Sequence, residues 1–121
     1  MINGLSYPTC EHAFQAFKTL DVVQHELIRT CPTPGQAKKL GRKVLLREGW
    51  NDVRDDFMRK FVKLKFENPI LRELLIMTLD AELIEGNEWH DSYWGVYRGV
   101  GQNRLGVILM NERAEILKDV D

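Results

Sequence analysis

The chain has 121 residues, 44% of them hydrophobic, which is enough for one buried core and too little for two independent ones. Seventeen basic residues against eighteen acidic ones leave a net charge of −1, so a nucleic-acid or membrane partner would have to be drawn by a local patch. No apolar run approaches the ~18 residues that cross a bilayer, the first residues lack the pattern of a secretion signal, and Cys10 and Cys31 neither form a C-x-x-C pair nor complete a zinc site. The expectation is one soluble, cytoplasmic domain over residues 1–121, with both thiols reduced and no membrane partner.

The hydrophobic pattern is mainly helical. Thr9 reads as an N-cap for a first helix from Cys10 to Leu20, in which Ala13, Ala16, Phe17 and Leu20 recur at helical spacing and Phe14 widens the stripe. Asp21 can cap a short second helix, which must end before Pro32. Thr33-Pro34-Gly35-Gln36 has the form of a capping box with proline at the first helical position, and Gly41 is expected to close that third helix. Asn51 or Asp52 caps the longest helix, to about Phe66, with Val53, Phe57, Phe61 and Leu64 as its core stripe. Asn68-Pro69 opens a fifth helix to Met77, and Leu83-Ile84 is read as a short strand or extended segment. Residues 86–106 are rich in glycine and aromatics, and a last helix runs from about Asn103 to Lys118. The fold class is mainly α, formally α+β with minor strand content: a compact helical domain with one long Gly/Trp-rich loop, and loops of that length usually carry function.

Four groups of residues could carry chemistry. On the first helix, Glu11, Gln15 and Lys18 share a polar stripe of about 60°, which is what any solvated helix face shows, yet Lys18 can lean back over Gln15 toward a ligand that Glu11 also touches. Between Gln36 and Arg47 stand Lys38, Lys39, Arg42, Lys43 and Arg47 with no acidic residue, either a solvated face or a phosphate site. The loop around Trp89, Tyr93 and Trp94 carries three carboxylates beside its aromatics, fitting either local packing or a stacking wall for a ring. Gly99, Gly101 and Gly106 leave room for backbone N–H groups to approach a phosphate at the start of the last helix, although their spacing is not that of a nucleotide fingerprint. His12, His25 and His90 lack metal-ligand spacing, so no metal and no cofactor is expected.

Several separated segments in one order resemble the NADAR family, whose members are YbiA-like N-glycosidase domains. They are Tyr7-Pro8-Thr9 with residues 11–18; Pro34, Ala37, Lys38 and Gly41-Arg42; Trp50-Asn51 with Arg54 and Met58; residues 83–95; and residues 101–106 with Leu109-Met110 and Arg113. The resemblance implies hydrolysis of a ribose C1–N bond, either in a ribosylamino-pyrimidine phosphate of riboflavin synthesis or in ADP-ribosylated guanine, the latter with ADP-ribosylated nucleic acid as a partner. It also implies that Glu11, Lys18, Trp50, Asp91, Trp94 and Asn103 line the site. Relatives begin with a further Ser-Asn-Phe-like segment before the tyrosine, so the domain is expected to be trimmed, or completed by a partner or an alternative start.

Breaking a C1–N bond puts positive charge on the sugar and negative charge on the departing base. Glu11, favoured as a carboxylate by the helix dipole, would stabilise the cationic sugar or act as base, and Lys18 would donate a proton or attack C1 to form an imine. Asp91 completes the expected catalytic set. Trp50 and Trp94 would stack on the base or hold the ribose, Asp91 and Asn103 would bond sugar hydroxyls, Gln15 would touch substrate, and Lys38 or Arg42 would face a phosphate. Two other readings are a catalytically silent module that binds ADP-ribose, and a helical protein whose basic segment contacts nucleic acid.

Overall fold

The computed structural model describes Ile2 and residues 4–118. Six helices follow in chain order: α1 Cys10–Ala16, α2 Val22–Arg29, α3 Pro34–Gly41, α4 Trp50–Lys65, α5 Pro69–Ile76 and α6 Arg104–Lys118. The architecture is mainly α, as the hydrophobic periodicity predicts. Among the described residues, strand-like pairing is confined to isolated bridges of Ile2 with Leu5, Gly86 with Val96 and Tyr97 with Val100. The chain forms two compact units, Met1–Phe57 and Met58–Asp121, with the boundary inside α4.

In the first unit α1, α2 and α3 begin where their caps predict, whereas α4 starts at Trp50, so the expected caps Asn51 and Asp52 lie inside its first turn. Thr9 Oγ1 accepts from the His12 N–H at 3.1 Å, Asp21 Oδ1 from Gln24 at 2.9 Å and Thr33 Oγ1 from Gln36 at 3.1 Å, each satisfying an otherwise orphaned donor for about 1 kcal/mol. Helix α1 stops four residues short of the expected Leu20. The N–H groups of Lys18 and Thr19 turn to carbonyls only three residues back, Gln15 at 3.2 Å and Ala16 at 3.4 Å, which tightens the chain out of the helix. Thr19 Oγ1 then accepts from the Asp21 N–H at 3.1 Å, and Leu20 is left 72% exposed with no core to face. The packing centre is Ala16, Ile28 and Ala37, wrapped by Tyr7, Cys31, Leu40 and Val44. Two alanines let α1, α2 and α3 approach closely, and burying Ile28 contributes ~1.5–3 kcal/mol. His12 is fully buried and spends both ring nitrogens, on Thr9 Oγ1 at 2.8 Å and the Cys31 carbonyl at 2.9 Å.

In the second unit Met58, Phe61 and Val62 of α4 are buried, as are Leu75 of α5 and Ile108 and Ile116 of α6. Asn68 caps α5, its Oδ1 accepting from Ile70 at 2.9 Å and Leu71 at 3.3 Å, with Pro69 at the position where a missing N–H costs nothing. Buried Arg113 reaches from α6 to Thr78 Oγ1 at 2.8 Å and the Ala81 carbonyl at 2.9 Å, clamping the turn after α5. Leu83 and Ile84 form no strand.

Candidate active site

Glu11 lies in the first turn of α1, Gln15 one turn on, and Lys18 in the tight turn that ends the helix. Gln15 Nε2 donates to Glu11 Oε1 at 3.1 Å, so the amide fixes one carboxylate oxygen. Gln15 is only 4% exposed, and its Oε1 is buried without a hydrogen-bond partner among the described residues. An orphaned buried acceptor costs about 1–3 kcal/mol, a cost that active sites tolerate more often than cores do.

Lys18 is held by its backbone. Its carbonyl accepts from the Arg47 N–H at 2.7 Å, and the Arg47 guanidinium donates to the Phe17 carbonyl at 3.4 Å while lying 5.3 Å from the Phe57 ring centre. Arg47 is therefore a brace for this turn. Lys18 Nζ stands 5.9 Å from the centre of the Phe14 ring. Burial pushes its amine below the ordinary lysine value of 10.5, the Glu11 charge opposes that shift, and Arg42, Lys38 and Arg54 add to it. One carboxylate and a partly desolvated amine thus sit within a field of further cations. Such a set can hold an anion and present a neutral nitrogen as nucleophile.

The first unit brings together Glu11, Gln15, Lys18, Lys38 and Arg42 of the expected residues. Arg54 joins them; helical periodicity assigns it only to a charged face, and its signal in the sequence is its place with Trp50-Asn51 and Met58 among the segments that resemble the NADAR family. Trp50 itself departs from expectation. It is 5% exposed and packs at 5.2 Å from Phe14 and 5.6 Å from Phe57, ring centre to ring centre, so it forms the floor under Phe14 rather than an open stacking face.

Asp91, Trp94 and Asn103 belong to the loop of the second unit. Asp91 Oδ1 accepts from the N–H groups of Tyr93 at 3.0 Å and Trp94 at 2.9 Å. Asn103, at φ +50°, accepts from the Glu85 N–H and donates to the Leu83 carbonyl, both at 2.8 Å. Asp91 Oδ1 and the Asn103 amide therefore hold the shape of the loop. Tyr93 and Trp94 meet edge to face with centres 4.8 Å apart, and the Arg104 guanidinium lies 4.8 Å from the Tyr93 ring centre, so the aromatics form a corner instead of a flat wall.

The expected phosphate cradle at the start of α6 is overturned. Its N–H groups are already taken by loop carbonyls: Gln102 by Ser92 at 2.7 Å, Asn103 by Gly95 at 3.2 Å, Arg104 by Tyr93 at 3.2 Å and Leu105 by Trp94 at 2.9 Å. Gly99 serves a two-residue turn between Tyr97 and Val100, in which Arg98 at φ +50° and Gly99 at φ +77° both take the left-handed conformation. Among the described residues no cluster of three or more His, Cys, Asp or Glu side chains could hold a metal ion, and no helix is long and apolar enough to cross a membrane.

Comparison with known proteins extends this picture. The chain is 42% identical over 119 residues to the N-glycosidase YbiA of Escherichia coli K12, covering 95% of this chain and 74% of that one. It is 35% identical over 131 residues to the chloroplastic riboflavin biosynthesis protein PYRR of Zea mays, covering 95% of this chain and 20% of the relative. The solved NMR structure of E. coli YbiA superposes with a TM-score of 0.88 at 41% identity, over 98% of this chain and 72% of that one. The NADAR domain model matches residues 1–117, across both units, and the chain belongs to the NADAR domain family.

Proposed function

We propose that the chain is an N-glycosidase that hydrolyses the C1–N bond of a ribosylamino-pyrimidine phosphate. The observation that carries this reading is the pairing of Glu11 with a partly desolvated Lys18 among Lys38, Arg42 and Arg54, in a chain 42% identical to a named N-glycosidase. A pyrimidine substrate is favoured over guanine because relatives such as the maize protein are named for riboflavin biosynthesis. In this reading residues 1–121 act as one NADAR domain, working in a reducing cytoplasmic compartment where Cys10 and Cys31 stay free thiols.

The C1–N electron pair leaves with the pyrimidine amine, which takes up a proton, and the ring oxygen shares the positive charge left on C1. Neutral Lys18 then bonds C1 through Nζ and sheds a proton to Glu11. Its nitrogen lone pair next expels the ring oxygen, which takes that proton, leaving an open-chain protonated imine. Water adds to C1 and the Lys18 amine departs neutral, releasing to solvent one proton that balances the one the pyrimidine amine drew from solvent, and the products are ribose phosphate and free aminopyrimidine. Lys38 and Arg42 hold the phosphate, with the cationic field also favouring the neutral amine. Asp91 and Asn103 are positioning residues for the loop that carries Trp94.

The test incubates the protein with the phosphorylated ribosylamino-pyrimidine and, separately, with DNA bearing ADP-ribosylated guanine, and follows products by mass spectrometry. Release of aminopyrimidine and ribose phosphate is expected. Release of ADP-ribose from guanine alone would move the substrate to nucleic acid, and binding of ADP-ribose without turnover of either would favour a silent module.

A further inference from the structure

Gln15 is the one side chain of the α1 stripe that is almost wholly buried, and its two amide atoms have opposite fortunes. Nε2 donates to Glu11 Oε1 at 3.1 Å, while Oε1 has no hydrogen-bond partner among the described residues. The atom facing that orphaned oxygen is the Cα of Gly41, the last residue of α3. A methyl group there would overlap Gln15 Oε1, stand 2.8 Å from its Cδ and crowd its Cβ at 3.1 Å.

Gly41 does not serve as a left-handed helix terminus, because the C-cap is Arg42 in an ordinary right-handed conformation. It is also fully inside the unit. What requires glycine at this point is therefore the space taken by the Gln15 amide. Turning the amide over would place an N–H donor in the orphaned position and an oxygen beside a carboxylate, so the observed orientation is the one that favours Glu11.

We propose that Gln15 is a positioning residue for the Glu11 carboxylate and that Gly41 locks it, by leaving α3 with a bare backbone against which the amide is pressed. The inference rests on Glu11 acting in the N-glycosidase reaction, as proposed above. It adds that the orientation of that carboxylate is set from α3, a different element from the one that carries it. The lock predicts coupling between Gln15 and Gly41, two residues carried on different helices. Substituting Gly41 displaces the far end of the flexible Gln15 side chain first, so Gly41→Ala and Gln15→Ala remove the same hydrogen bond by different routes.

The experiment measures kcat and KM on the phosphorylated ribosylamino-pyrimidine for the wild type, Gln15→Ala, Gly41→Ala and the double variant. It also measures exchange of the Gln15 side-chain amide protons by NMR in the wild type, Gly41→Ala and Glu11→Ala. Each single variant is expected to lower kcat about 10- to 100-fold with little change in KM, as expected for a misplaced catalytic group, and the double variant to be no slower than Gln15→Ala. The amide protons should be protected in the wild type and exposed to exchange in both Gly41→Ala and Glu11→Ala. Effects on kcat that multiply in the double variant, or a Gln15→Ala enzyme with wild-type kcat, would overturn the proposal. A wild type without turnover would instead refute the N-glycosidase reading, and the amide measurement would decide alone: protection unchanged by Gly41→Ala sinks the lock.

Discussion

Lys18 Nζ lies 5.9 Å from the centre of the Phe14 ring, so an amine that burial pushes below the ordinary lysine value is set against an aromatic face. The ring offers weak electrostatic attraction to a cation and no hydrogen bond, a poor exchange for lost water. Burial therefore dominates, and the amine is easier to deprotonate than a free lysine.

A pH dependence of stability follows from the sign of that shift. Between the lowered folded value and the ordinary 10.5, the unfolded chain binds more protons at Lys18 than the folded one, so stability rises with pH across that window. The contribution is fully present above the ordinary value and is lost as pH falls through the folded one. Lys18→Met removes the titration. Its stability advantage over the wild type, read from urea midpoints, should be largest near neutrality and shrink as pH approaches 10.5. An advantage independent of pH would show that Lys18 is not desolvated.

Glu11→Gln keeps shape and the contact with Gln15 while removing the charge. Folding should be retained within ~0.5 kcal/mol and turnover should fall by at least about 100-fold, as for loss of a general base or a stabilising carboxylate. Circular dichroism and a product assay check the two halves separately. A variant with wild-type turnover removes Glu11 from the mechanism.

Asn103 offers a test confined to the second unit. Asn103→Ala deletes the bonds to Glu85 and Leu83 and leaves at φ +50° a residue that holds the left-handed conformation less readily than asparagine, for a combined loss of about 2–4 kcal/mol. Asn103→Gly relieves the backbone but not the bonds, so it should fall between the wild type and the alanine variant. Equal stability of the glycine and alanine variants in denaturant titrations would mean that the backbone conformation costs nothing there.

Arg47 braces the turn on which Lys18 sits, so Arg47→Met should preserve the aliphatic cover on Phe57 while freeing the Phe17 carbonyl. Lower kcat with a modest stability loss of about 1 kcal/mol is the expected pattern. If kcat is unchanged, the turn is held by the backbone bond from Arg47 N–H alone.

The starts of α1, α2, α3 and α5 were legible because caps are local chemistry: Thr9, Asp21, Thr33 and Asn68 each bond N–H groups two or three residues ahead, so a few letters suffice. The end of α1 was not. Leu20 keeps the apolar period, but the chain leaves the helix through a tight turn braced from Arg47, twenty-nine positions away from Lys18 along the chain. The Glu11, Gln15 and Lys18 stripe was visible as spacing, yet only tertiary packing distinguishes it from a solvated face, by burying Gln15 against Gly41. Asp91 and Asn103 are of types that serve substrates and loop backbones equally well, and their partners at Tyr93, Trp94, Leu83 and Glu85 emerge only once the loop is folded.

The central claim is that the Lys18 amine meets the sugar at C1, and borohydride added during turnover tests it most directly. Reduction of the imine would fix the opened ribose phosphate to the protein through a secondary amine, raising the mass by that of the reduced fragment. The account predicts one adduct per chain on the peptide containing Lys18, absent from Lys18→Ala, which should also be inactive. Continued release of aminopyrimidine with Lys18 unmodified, together with a Lys18→Arg variant that keeps a substantial part of the rate, would contradict it.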